Sequence, residues 1–134
     1  MAAEPEGLIR GGGNMFVVDE NTGRITLHRG DTGKVGITAA TEYTFGADDV
    51  ALFTVKSPDG TIIKSEIHML DDKRFEVAFT NGETDYLSPG TYEWDVRYIA
   101  NPVYDEDGSV VDGDIVATPR DPMAMNVLRT VGQI

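Results

Sequence analysis

The chain contains no cysteine. That excludes disulfides, thiolate metal centres and a cysteine nucleophile together, and it fits synthesis in a reducing cytosol. Long apolar runs are also missing, so no segment reads as a membrane-spanning helix. The opening residues Met1-Ala2-Ala3-Glu4-Pro5-Glu6 are acidic and lack the apolar stretch of a secretory leader. Cationic residues are scarce: 11 Lys and Arg stand against 23 Asp and Glu, for a formal net charge of −12. Such a surface repels polyanions, so neither nucleic acid nor a membrane is expected as a partner. The only histidines are His28 and His68. Neither has a second His or Cys at ligand spacing, so the sequence advertises no zinc site and no Ser-His-Asp arrangement. A phosphate loop is lacking as well, because Gly11-Gly12-Gly13 follows no strand and opens no helix.

What remains is a chain of 134 residues, 40% of them apolar, which suits one domain with one core. Its clearest signal is Leu87-Ser88-Pro89-Gly90-Thr91-Tyr92-Glu93-Trp94-Asp95-Val96-Arg97-Tyr98. A Pro-Gly turn leads into strict alternation, with Tyr92, Trp94, Val96 and Tyr98 on one face and charges on the other. A period of two over this length predicts a half-buried strand through the middle of a core.

Further strand signals recur at close intervals. Met15-Phe16-Val17-Val18 ends in the turn cluster Asp19–Gly23. Ile25 and Leu27 alternate with polar residues, then Arg29–Gly33 turns the chain toward Val35, Ile37 and Ala39. Val50–Val55 is closed by Ser57-Pro58-Asp59-Gly60, a turn in which Pro58 presets φ and Gly60 accepts positive φ. Thr61–Met69 returns, with Ile63, Ser65, Ile67 and Met69 on one face. Phe75, Val77 and Phe79 follow. Asp112-Gly113 reads as a two-residue hairpin turn between Val110-Val111 and Ile115-Val116. Met123–Val131 forms the last strand, and a short helix fits near Ala47-Asp48-Asp49 or Thr84-Asp85-Tyr86. This pattern predicts an all-β fold: an antiparallel immunoglobulin-like β-sandwich over residues 15–134, with a small barrel as the other arrangement. Residues 1–14 read as a flexible N-terminal arm.

Few motifs carry chemistry. Arg29-Gly30-Asp31 is an adhesion-type tripeptide, but it lies where a polar turn is expected. Asp105, Asp107, Asp112 and Asp114 bring hard oxygen ligands close together in sequence and are the weak calcium candidates. Their spacing departs from the EF-hand, so no metal or other cofactor is expected. Asp48-Asp49 and Asp71-Asp72 read as turn carboxylates facing water rather than as an acid–base pair. No catalytic residue is expected.

Three segments in order carry a resemblance. They are Ile25–Gly33, ending in Arg29-Gly30-Asp31-Thr32; Leu52–Gly60, with Phe53-Thr54-Val55-Lys56; and Glu83–Arg97, with Leu87-Ser88-Pro89-Gly90-Thr91-Tyr92. Together they resemble the immunoglobulin-like structural domains of tailed-bacteriophage virions, including the N-terminal domain of baseplate upper proteins. The resemblance implies a non-enzymatic virion component, a capsid decoration or a tail or baseplate piece. It would be made in the bacterial host cytoplasm and would work by docking to other virion proteins or to copies of itself. Leu8, Ile9, Met15 and Phe16 are the arm residues expected to become buried on a neighbour, and removal of residues 1–14 is expected to spare the fold. The alternative is a carbohydrate- or ligand-binding sandwich, with Tyr43, Tyr86, Tyr98 and Tyr104 as its aromatic candidates.

Overall fold

The computed structural model describes residues 8–11, 16–39, 45, 48–70, 73–117 and 122–129. These form β1 (Leu8–Gly11), β2 (Val17–Val18), β3 (Ile25–His28), β4 (Gly33–Thr38), β5 (Val50–Lys56), β6 (Ile62–Met69), β7 (Arg74–Phe79), α1 (Asn81–Asp85), β8 (Gly90–Tyr104), β9 (Val110–Ala117) and β10 (Met123–Leu128). One sheet has the order β1-β4-β7. The other runs β2-β3-β10-β8-β5-β6, with β9 added to β8. The fold is all-β, and residues of both sheets contribute to a single apolar cluster.

Alternation places the core where the sequence predicts it. Tyr92, Trp94, Val96 and Tyr98 of β8 are buried, as are Phe75, Val77 and Phe79 of β7 and Ala51, Phe53 and Val55 of β5. Each large side chain removed from water contributes about 1.5–3 kcal/mol before entropy is counted. Phe53 joins the two layers by meeting Phe79 of the other sheet edge-on at 6.1 Å, and within its own sheet it packs on Trp94 at 5.3 Å in a tilted arrangement. The buried indole is satisfied, since Trp94 Nε1 donates to the Gly23 carbonyl at 3.0 Å.

Three expectations are corrected. First, the sheets are mixed: β10 pairs β3 in parallel, Met125 opposite Ile25, while β8 flanks β10 antiparallel. Turn signals report only neighbours in sequence, and this pair joins the two ends of the domain. Second, the arm is not free along its whole length. β1 pairs antiparallel with β4, Leu8 opposite Thr38 and Gly11 opposite Val35, so Leu8 and Ile9 commit their backbone to their own sheet. Third, Phe16 is a core residue of its own chain, 6% exposed and 5.4 Å from Phe79. Its ring lies over Gly33, where an added Cβ would stand 2.5 Å from the ring. Met15, the fourth arm residue, lies outside the described residues.

The long strand β8 is divided along its length. β5 flanks it from Glu93 to Ile99, and β10 covers Gly90–Trp94 on the opposite side. β9 then covers Tyr98–Tyr104. Beyond Ile99, β8 and β9 therefore continue as a two-stranded ribbon without β5.

Candidate docking surface

The Arg29-Gly30-Asp31 turn is held by the short helix α1. Thr80 caps α1: its hydroxyl accepts from the Glu83 N–H while the Glu83 carboxylate accepts from the Thr80 N–H. Asn81 donates to the Gly30 carbonyl at 2.7 Å, and the buried Thr84 hydroxyl donates to the Asp31 carbonyl at 2.7 Å. Arg29 Nε donates to the Asp85 carbonyl at 2.7 Å, and the Asp31 carboxylate accepts from the His28 N–H at 2.8 Å. Both charged groups of the tripeptide thus make contacts within the chain. The sequence expectation of a strand connection describes this turn.

A charged cluster lies between the sheets at the β6 edge. The register shifts between Val55 and Lys56, and after it Lys64, Glu66 and His68 stand opposite Val55, Phe53 and Ala51, whose side chains face the core. Ser65, Ile67 and Met69, expected to face inward, stand opposite Thr54, Leu52 and Val50 on the other face. Ile63 alone of the expected set packs against the core. Lys64 Nζ meets Glu66 Oε2 at 2.7 Å, bonds the Glu83 carboxylate, and sits 4.9 Å from the Phe79 ring centroid. Burial alone would pull the Lys64 ammonium down, but hydrogen bonds to Glu66 and Glu83 hold it above the ordinary lysine range. Burial likewise pushes both carboxyls up, and the Lys64 contacts outweigh it, leaving Glu66 and Glu83 below the ordinary range. His68 Nε2 lies 2.9 Å from Glu66 Oε1, and the ring stacks on Phe75 of the other sheet at 5.0 Å. This constellation ties β6 to β7 and α1. Inward charges on an edge strand also discourage pairing with another chain.

The ribbon carries several of the exposed large apolar side chains among the described residues. Val103, Tyr104 and Val111 are large, apolar and about half exposed, and Met69 at the end of β6 is as well. The ribbon turns at Asp105–Ser109, where Asp105 Oδ1 accepts from the Asp107 and Ser109 N–H groups. Asp112-Gly113, expected as the hairpin turn, lies inside β9 instead. Gly113 is needed there for close approach. An added Cβ would meet Ile99 Cγ2 at 2.5 Å and the Ala100 carbonyl oxygen at 3.2 Å. The ribbon is irregular where it leaves the sheet: the register shifts between Ala100 and Val103, Asn101 has a φ of +52°, and its amide donates to Asp114 at 3.2 Å. A groove of about 400 Å3 opens between this bend, the start of β5 and the end of β6, lined by Asp48, Met69, Asn101, Pro102 and Tyr104.

Other sequence candidates do not converge. The carboxylates of Asp105, Asp112 and Asp114 each accept a bond within the ribbon, from Asp107 and Ser109, from Gly113, and from Asn101. Among the described residues no three His, Asp or Glu side chains come together as a metal site. His28 is exposed, 3.8 Å from the Asp31 carboxylate, and far in the fold from His68 on β6. Of the tyrosines, Tyr98 is buried in the core, Tyr86 is 87% exposed beside α1, and Tyr104 lines the groove, so they build no shared platform. Tyr43 lies outside the described residues. The groove residues Asp48, Met69, Asn101 and Pro102 escape sequence reasoning because they meet only through the bend of the ribbon. Lys64, Glu66 and His68 left one trace in the sequence, their i, i+2, i+4 spacing.

No protein-family model matches the chain, and no curated protein matches it.

Proposed function

We propose that the chain is a non-enzymatic docking subunit of a tailed-bacteriophage virion, built as an immunoglobulin-like sandwich. The observation that carries the docking reading is the β8–β9 ribbon, which leaves the sheet with Val103, Tyr104 and Val111 exposed. Three large side chains left about half exposed on one two-stranded ribbon offer a partner apolar surface to cover. The immunoglobulin-like reading is supported by strand order. β10-β8-β5-β6 packs against β4-β7 across one apolar core. It is supported too by the corner at the start of β8, where the Tyr92 hydroxyl donates to the Ser88 carbonyl at 2.8 Å. The virion assignment rests on the ordered resemblance of the three segments around Asp31, Asp59 and Tyr92.

Quantitative mass spectrometry of purified particles from the phage that encodes the chain tests the reading. The expected result is the protein at a fixed copy number per particle after a high-salt wash. Its absence from washed particles overturns the virion role.

A further inference from the structure

We propose that the groove between the ribbon and the β5–β6 end receives an arginine side chain of a protein partner. The inference rests on the docking reading and names the chemistry of what docks. Three features of the lining select the occupant. Asp48, exposed, is the charged residue of the lining among the described residues. Tyr104 supplies an aromatic ring, and a cation over such a ring gains about 0.5–1 kcal/mol at an exposed site. Met69 and Pro102 supply apolar surface for an aliphatic stem, and Met adapts to its occupant. Carboxylate, ring and apolar wall together match a guanidinium on a three-carbon stem better than a compact, strongly hydrated ammonium. At about 400 Å3 the space is at the lower end of ligand-sized pockets, enough for one long side chain and part of a neighbour.

The field around the groove agrees. Residues 100–114 contain five carboxylates, Asp105, Glu106, Asp107, Asp112 and Asp114, and neither Lys nor Arg. An arginine approaching the ribbon is therefore attracted before contact, and an acidic segment is repelled. The whole chain carries −12, which opposes a second copy as the occupant.

The test uses the full chain with methyl-labelled methionine and a capped Leu-Arg-Leu peptide as probe. Its twin carries citrulline, which keeps the shape of arginine and loses the charge. The Met69 methyl and the Tyr104 ring signals are expected to move with the arginine peptide. Binding is expected to weaken about three- to tenfold for the citrulline twin, and by a similar factor in Asp48→Asn. Asp48 is exposed, so that substitution leaves the fold in place. Equal response to both peptides, no response at Met69 and Tyr104, or equal response to maltose overturns the proposal. If the peptide result is negative while ribbon substitutions still expel the protein from particles, docking stands and the arginine pocket falls. If the peptide binds and particles lack the protein, the pocket stands and the virion role falls.

Discussion

Lys64 Nζ lies 2.7 Å from Glu66 Oε2, with the lysine side chain only 6% exposed and the glutamate 35%. A buried cation with two half-hydrated carboxylate partners is a costly group to strip of its pairing but not to replace. Glu66→Gln with Glu83→Gln should therefore lower stability by about 1–3 kcal/mol, whereas Lys64→Met should cost less. Urea unfolding of each variant at neutral pH checks the order. A Lys64→Met variant less stable than the double glutamine variant contradicts it.

The same cluster makes stability depend on pH. Glu66 and Glu83 are held below their ordinary value of 4.5, so their contribution is complete above that pH and fades as pH falls through the folded values. Lys64 is held above its ordinary 10.5, so its contribution is complete below that pH and fades as pH rises past it. Unfolding midpoints measured from pH 7 down to pH 3 should fall more steeply in the parent than in Lys64→Met. Identical slopes would show that the cluster contributes nothing.

Phe16 separates a core residue from an interface residue. With its ring against Phe79 and over Gly33, Phe16→Ala should lower stability by about 3 kcal/mol in the isolated protein. Gly33→Ala should also destabilise, because the new methyl group displaces that ring. Chemical denaturation of both variants decides the matter. Parent-like stability in Phe16→Ala would return this residue to a partner interface.

Removing residues 1–11 should harm the isolated domain. It strips β1 from β4 and leaves a sheet edge unpaired, at a cost of about 2–4 kcal/mol and with a new tendency to associate. Thermal unfolding and light scattering of the truncated chain report both effects. An unchanged, monomeric truncated chain would mean that β1 contributes nothing to the fold.

Where burial follows alternation, the sequence is a good guide. Tyr92, Trp94, Val96 and Tyr98 lie inward as their period predicts, and the Ser57–Gly60 turn and the helix near Thr84 occur where expected. Alternation fails at β6, because one register shift beside Val55 turns Lys64, Glu66 and His68 inward. It fails again at Asp112-Gly113, where glycine serves close packing on Ile99 and not a turn. The parallel pair β3–β10 and the groove around Met69 and Tyr104 depend on segments remote in sequence, on which a local period carries no information. Most of the core was thus legible, and almost none of the candidate docking surface.

If the β8–β9 ribbon docks the protein on a particle, as proposed, a variant stripped of the ribbon's apolar side chains should fail to dock. Val103→Ser, Tyr104→Ser and Val111→Ser combined remove apolar side chains that the isolated fold leaves about half exposed. Its amount per purified particle, counted by mass spectrometry, is the measurement. The expected result is a folded variant that loses about 1 kcal/mol or less per substitution and is little or not at all found in particles. A stably folded variant incorporated at the parent's copy number contradicts it.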